Sequence, residues 1–120
     1  MADISREQLE SYRGRKRVLL IFAPSSAHKD YLTQRGLLEG AEDGLRERDL
    51  LALYLFANRS GEEHALRDRF KIANDAFAVV LIGKDGGEKE RFLEAVQPTK
   101  LFGLVDQMPM RRRELKDAQR

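Results

Sequence analysis

Three short apolar runs, separated by polar segments with helical spacing, constrain the fold of this chain more than any other feature. Residues 18–23, 50–56 and 77–82 read VLLIFA, LLALYLF and FAVVLI. An unbroken apolar run of this length is typical of a strand that is covered on both faces of a sheet. Because 120 residues can bury such a core without disulfide or metal staples, we predict one α/β domain over residues 1–120.

The segment between the first two runs predicts one long amphipathic helix over residues 28–48. Its apolar residues recur at helical spacing, at Tyr31, Leu38, Ala41 and Leu45. The segment also contains three evenly spaced glycines, at Gly36, Gly40 and Gly44. Each glycine costs about 1 kcal/mol relative to alanine inside a helix. Either a close helix contact, for example with a second copy of the chain, or a frayed or bent surface helix would account for them.

Capping signals place the remaining helices. Two capping boxes, Ser5 with Gln8 and Ser60 with Glu63, predict the starts of a short N-terminal helix and of a helix after the second run. Pro98 is suited to the first position of the last helix. That helix is expected to be interrupted before RRREL forms a final turn or two.

The predicted order of elements is helix, β, α, β, α, β, β, α. Residues 83–87 (GKDGG) predict a hairpin turn, and the charged sequence EKERF at residues 88–92 is typical of an edge strand. Strands joined through helices are expected to run parallel, and the last two strands antiparallel. The economical architecture is a mixed four-stranded sheet with helices on both faces, a thioredoxin-like three-layer βαβαββα sandwich with an extra N-terminal helix.

Within this domain, the sequence predicts three parts. Residues 1–16 form the N-terminal helix and lead-in, residues 17–107 form the core, and residues 108–120 form a basic C-terminal tail.

Four longer segments carry a resemblance to a known family: RVLLIFAPSS, LRERDLLAL, FAVVLIGKDGG and LFGLVDQMPMRRREL. Over residues 17–115 the chain resembles a bacterial domain of unknown function. Related copies form the C-terminal domain of sushi-repeat extracellular proteins and repeats in a coiled-coil-domain-containing extracellular matrix protein. The resemblance implies a thioredoxin-like fold without an established catalytic activity. Family members attached to matrix proteins are associated with adhesion and assembly, and the resemblance therefore favours a protein-binding or assembly module.

The departures from true thioredoxins are chemical. The resemblance places residues 24–28 where those enzymes carry Cys-x-x-Cys, and the chain contains no cysteine. Where they have a cis-proline, this chain has Asn74, Asp75 and Ala76, for which a trans peptide is expected because a cis bond before a residue other than proline costs about 3 kcal/mol. Thiol–disulfide oxidoreductase activity is therefore excluded, and no cofactor is expected.

The first strand-to-helix turn offers an alternative function, a small-molecule or anion site that could be enzymatic. Ser25, Ser26 and His28 would present hydroxyl and imidazole groups beside free backbone N–H groups at the helix start. The competing interpretation is that Ser25 or Ser26 only caps the helix. A serine hydrolase is disfavoured because the sequence shows no nucleophile elbow and no third member of a triad. Two histidines without a spaced carboxylate motif also predict no metal site.

The excess positive charge lies at the C-terminus. The last ten residues carry five basic and two acidic side chains, whereas the rest of the chain has 17 basic and 18 acidic ones. Lys84, expected at the exposed tip of the hairpin, and Arg111, Arg112 and Arg113 are candidate partner-binding residues. The alternative is that at least one of these guanidinium groups docks the tail on the domain. The basic run contains no aromatic residue, which disfavours nucleic acid; the expected partner is a protein, and a homodimer is possible.

Compartment is left open by the sequence. No apolar run approaches the length of a membrane span, so no membrane association is predicted. The N-terminal sequence MADISREQLESYRGRKR is too polar for a signal peptide. The chain is therefore expected to be soluble, either cytoplasmic as given or a mature secreted or periplasmic domain after removal of a leader.

Overall fold

A computed structural model describes residues 6–57 and 62–118 of the protein. Both predicted capping boxes lie outside this description, because they depend on Ser5 and Ser60. The elements in chain order are α1 (Arg6–Ser11), β1 (Arg17–Ala23), α2 (Lys29–Glu39), α3 (Glu42–Glu47), β2 (Leu50–Phe56), α4 (Glu62–Phe70), β3 (Ala78–Ile82), β4 (Glu88–Phe92), α5 (Pro98–Asp106) and α6 (Pro109–Ala118).

The four strands form one mixed sheet in the order β2-β1-β3-β4. β1 and β2 are parallel, with Leu20 opposite Leu53, and β3 and β4 are antiparallel. The predicted mixed four-stranded α/β sheet is thus confirmed. The expected direction of the third strand is wrong, because β3 runs antiparallel to β1, with Leu20 opposite Val80.

Arg67 on α4 contacts both the C-terminal end of β1 and the segment that precedes β3. Its Nη2 donates to the carbonyl oxygen of Ala23, the last residue of β1, at 2.6 Å, and its Nη1 donates to the carbonyl of Ala73 at 2.7 Å. These bonds keep the chain that follows α4 at the C-terminal end of β1. Since β3 begins there, with Ala78 opposite Phe22, it runs back along β1 in the opposite direction.

Alternating side chains of β1 divide the core into two layers. Leu19 and Ile21 pack with the helices α2, α3 and α5 on one face of the sheet. Leu20 and Phe22 pack with α1 and α4 on the other face. Every residue of β1 is buried, as an apolar run covered on both faces requires. The expected sandwich of a sheet between helical layers is therefore present.

The single helix predicted over residues 28–48 is wrong, because α2 ends at Glu39 and α3 begins at Glu42. Gly40 is the C-cap of α2, and its N–H bonds back to the carbonyl of Gly36 at 3.3 Å. Glycine is required at position 44 for a different reason, because a Cβ there would lie 2.6 Å from Cε2 of Phe102. This glycine allows a close contact between α3 and α5 within one chain.

The C-terminal half follows the prediction more closely. The hairpin turn is closed by a bond from the Gly83 N–H to the Gly87 carbonyl at 2.9 Å, and Gly86 takes the left-handed φ of 85° that favours glycine. Pro98 is the first residue of α5. The tail forms α6, a helix of ten residues. No helix in residues 6–57 and 62–118 is long and apolar enough to cross a membrane.

Candidate functional site

The turn between β1 and α2 contains the residues predicted to bind an anion. The hydroxyl of Ser25 accepts a hydrogen bond from the Ala27 N–H at 3.2 Å, and Ser26 is exposed. The prediction that one of these serines caps α2 is wrong, since His28 is the N-cap. His28 directly precedes the first helical residue in an extended conformation, so that its Nδ1 accepts from the N–H of Asp30 at 3.3 Å.

The imidazole of His28 is also held by an aromatic contact. It stacks on the ring of Phe77 with 5.9 Å between centroids and 5° between planes. Within the described residues, neither Ser25 nor Ser26 donates to this histidine, and every peptide bond there is trans, as expected for the segment before β3. The turn is thus arranged around a helix cap, and an anion site at this turn stays a prediction.

A network of charges at the opposite end of the sheet is centred on Arg17, the first residue of β1. Its side chain is only 1% exposed. Nη1 donates to the Arg48 carbonyl at 2.7 Å. Nη1 and Nη2 donate to the two oxygens of Glu114 on α6 at 3.3 and 3.1 Å. This bidentate pair attaches the C-terminal helix to the central strand.

Lys84 belongs to the same network. The prediction that it projects at an exposed hairpin tip is wrong. Its side chain is 10% exposed, and its Nζ lies 2.7 Å from Oε2 of Glu114 and 3.0 Å from Oδ2 of Asp49. The hairpin ends beside the start of β1 because β3 is antiparallel to it. That placement brings the ammonium group to the two carboxylates.

The carboxylates of this network are stabilised in their charged form. The hydrogen bond from Lys84 lowers the pKa of Asp49. Burial raises the pKa of Glu114, but hydrogen bonds from Arg17 and Lys84 outweigh burial, and the pKa lies below its ordinary value. At neutral pH both carboxylates are therefore ionised.

Of the three consecutive arginines, Arg111 faces the protein. It is 4% exposed, and its Nε donates to Oδ1 of Asp106 at 3.0 Å. Arg48 donates to both oxygens of the same carboxylate at 3.1 and 3.0 Å. The prediction that at least one guanidinium docks the tail is confirmed. Arg112 and Arg113 are exposed, and their binding to an acidic partner stays a prediction.

The two edges of the sheet differ in chemistry. β4 (EKERF) presents Glu88, Lys89 and Glu90 to solvent. β2 (LLALYLF) contains no charged residue, and its positions 51–54 are half-buried. Tyr54 packs edge-on against Tyr31 at 5.4 Å between centroids. Burial raises the pKa of its hydroxyl to about 12, so Tyr54 is a neutral hydrogen-bond donor at the surface of this edge.

Several residues of the charge network and of the β2 edge are not predicted from the sequence. The sequence patterns predict no role for Arg17, Asp49 or Glu114, although Arg17 precedes a buried apolar run and Glu114 follows three arginines in a helical segment. The sequence does not predict the uncharged edge at β2 either, because the run LLALYLF is typical of a strand that is covered on both faces. In the described residues no group of three or more histidine, aspartate or glutamate side chains is placed to hold a metal ion.

Comparison with protein families gives one match over most of the chain. The model described as "Domain of unknown function (DUF4174)" matches residues 8–114. The human sushi repeat-containing protein SRPX is 30% identical over 120 residues, an alignment that covers 89% of this chain and 26% of SRPX. Human SRPX2 is 26% identical over the same shares. The chain thus spans about a quarter of the length of these relatives.

Solved structures identify the fold. Thioredoxin peroxidase I of Plasmodium yoelii superposes with a TM-score of 0.72 at 17% identity, covering 88% of this chain and 79% of that one. Chloroplastic thioredoxin z gives a TM-score of 0.59 at 22% identity, covering 88% and 97%. At these identities the likeness concerns the fold alone, and it confirms the predicted thioredoxin-like architecture.

Proposed function

Because the chain belongs to the DUF4174 family, a domain of unknown function, we propose that it acts as a non-redox assembly module in which two copies pair through their β2 edges. The thiol chemistry of thioredoxins requires cysteine, which this chain does not contain. What the scaffold retains is a sheet with one uncharged edge.

The observation that carries the proposal is the contrast between β2 and β4. An edge strand presents unpaired N–H and C=O groups, and proteins commonly protect it with charged residues. β4 has that protection, whereas none of the seven residues of β2 is charged. An unprotected apolar edge of this kind favours the addition of another strand.

A second copy of β2 can pair antiparallel with this edge, and we place the two-fold axis at Leu53. A two-fold axis at Leu53 places the two Leu53 side chains opposite each other. It also places the large Tyr54 opposite the small Ala52, and Leu51 opposite Leu55. Each pair joins an apolar side chain to another on the same face of the sheet, the arrangement that stabilises neighbouring strands. The product is one continuous sheet of eight strands.

The experiment is a sedimentation equilibrium series over protein concentration. We expect the wild-type protein to dimerise and Leu53→Lys to be a monomer, because the register places two like charges face to face. Leu93→Lys is the matched control, since Leu93 is 72% exposed and lies just after β4; this variant should dimerise like the wild type.

Thermal unfolding of each variant establishes that it is folded. Leu51→Lys gives a second test, because Leu51 belongs to neither apolar layer and its replacement leaves the core intact. A wild-type protein that stays monomeric throughout the series, or folded β2 variants that dimerise as well as the wild type, would contradict the proposal.

A further inference from the structure

A cavity of about 230 Å³ lies beside β2, on the face of the sheet that α2 and α3 cover. Its apolar wall comes from Leu38 on α2, from Leu45 on α3 and from two residues of the strand itself, Ala52 and Tyr54. The cavity is therefore continuous with the strand edge that the proposed assembly uses.

The charged side chains at the rim of this cavity leave it suited to an uncharged group. Arg35 and Glu39, which both line it, form an ion pair with 2.8 Å between Nε and Oε1. Nη1 of the same arginine donates to the hydroxyl of Tyr31 at 3.4 Å, and Glu42 is exposed to solvent. Because the guanidinium already has its partners, what the cavity leaves uncovered is its apolar wall, which an aromatic or aliphatic side chain can cover.

The backbone of β2 determines which of its residues can bond to a further strand. The N–H of Ala57 donates to the carbonyl of Ala23 on β1 at 3.0 Å, and at the other end of the strand the carbonyl of Asp49 faces β1 in the same way. Because successive residues of a strand direct their peptide groups to opposite sides, the odd-numbered positions face β1. The even-numbered positions, which include Ala52 and Tyr54, face outward, and only a two-fold axis that passes through a residue pairs them with each other.

The axis at Leu53 meets this condition and pairs all seven residues of β2, because Leu53 is the middle residue of the strand. In this register Ala52 of one copy and Tyr54 of the other exchange both of their N–H···O bonds. Their side chains then lie on the same face, with about 5.5 Å between Cβ atoms. The Tyr54 ring of each copy is therefore placed over the small Ala52 of the other, at the cavity that Ala52 lines.

We propose that Tyr54 and Ala52 determine which partner the β2 edge accepts, because the Tyr54 ring of each copy fills the cavity beside Ala52 of the other. This selectivity rests on the proposed assembly of β2 with β2. It requires a large and a small residue on the two sides of the axis, which a second copy of β2 supplies. The other edge strand, β4, presents charged side chains and would leave the apolar wall without a partner.

The experiment exchanges the large and the small residue and measures self-association by sedimentation equilibrium. Tyr54→Ala leaves each cavity empty, and Ala52→Tyr fills each cavity with a ring of the same chain. Each change should weaken dimerisation at least about tenfold. An equimolar mixture of the two variants places one tyrosine opposite one alanine at both positions, and it should form a heterodimer about as tightly as the wild type dimerises. Tyr54→Phe is the matched control, because it keeps the ring and should dimerise like the wild type.

A measurement on the wild-type protein does not depend on the folding of any variant. Isotope-labelled and unlabelled chains are mixed, so that an isotope-filtered NOE reports only contacts between two copies. We expect such an NOE between the Tyr54 ring protons of one copy and the Ala52 methyl group of the other.

The proposal is overturned if the wild type dimerises without this NOE, if either folded single variant dimerises as tightly as the wild type, or if the mixture forms no heterodimer. In these cases assembly through β2 still stands, provided that Leu53→Lys is a monomer. Both proposals fall if the wild type itself never dimerises.

Discussion

The Nζ of Lys84 and the Oε2 of Glu114 lie 2.7 Å apart, which connects the β3–β4 hairpin to the C-terminal helix. The same carboxylate pairs with Arg17 at 3.1 Å. One glutamate of α6 therefore ties together the start of the central strand and the hairpin. The tail is part of the folded domain, and its attachment is ionic more than apolar.

Replacement of Glu114 tests this attachment. Glu114→Gln leaves the nearly buried Arg17 and Lys84 without their shared carboxylate, and we expect a loss of about 2 kcal/mol in the free energy of unfolding, between the values for exposed and fully buried ion pairs. Urea denaturation measures it. Glu94→Gln, at an exposed position, should change stability by less than about 0.5 kcal/mol; equal effects of the two variants would show that the network does not stabilise the fold.

Acid should weaken the domain through the same carboxylates. The pKa values of Asp49, Asp106 and Glu114 are lowered in the folded protein. Their contribution to stability is therefore complete above their ordinary values of 3.8 and 4.5 and is lost as the pH falls below them. Denaturation midpoints at pH 7, 5 and 3 should show little change above pH 5 and a marked fall at pH 3. Glu114→Gln should show a smaller fall, and an unchanged midpoint at pH 3 is incompatible with this prediction.

Two helical glycines should respond oppositely to alanine. A Cβ at Gly36 meets nothing within 4 Å, so Gly36→Ala should stabilise the protein by about 0.5–1 kcal/mol. A Cβ at Gly44 would lie 2.6 Å from Phe102, whose ring is covered by Arg48 at 4.2 Å. The resulting overlap should cancel or exceed the helical gain. Thermal unfolding of both variants tests this, and equal stabilisation by both would contradict the close contact of α3 with α5.

The histidine cap can be tested by two substitutions. His28→Ala removes both the acceptor for the Asp30 N–H and the stacking on Phe77, and should cost about 1 kcal/mol. His28→Asn keeps a capping acceptor and should cost less. If urea denaturation finds both variants as stable as the wild type, the imidazole has no structural role at this turn and is available for another one.

Local sequence patterns predict the four strands well, but they do not predict the direction of β3 or the break between α2 and α3. The three apolar runs coincide with β1, β2 and β3 to within one residue at either end. Burial on both faces of the sheet requires apolar residues at consecutive positions, and this pattern is visible in the sequence. The antiparallel direction of β3 is accompanied by a hydrogen bond from Arg67 to the carbonyl of Ala23, 44 residues away in the sequence. No local periodicity carries that information.

The candidate sites were harder to predict for the same reason. Lys84 was recognised, but its burial depends on Asp49 and Glu114, which lie 35 and 30 residues away. The apolar run of β2 looks like that of β1 in sequence. Only the strand order shows that one lies at the centre of the sheet and the other at its edge.

The most direct test of assembly through β2 is a charge exchange at Leu53. The two-fold register places this residue opposite itself, so Leu53→Lys and Leu53→Glu should each sediment as monomers. An equimolar mixture of the two folded variants should sediment as a heterodimer, because opposite charges then face each other across the axis. A mixture that remains monomeric at concentrations where the wild type dimerises would contradict the pairing of β2 with β2.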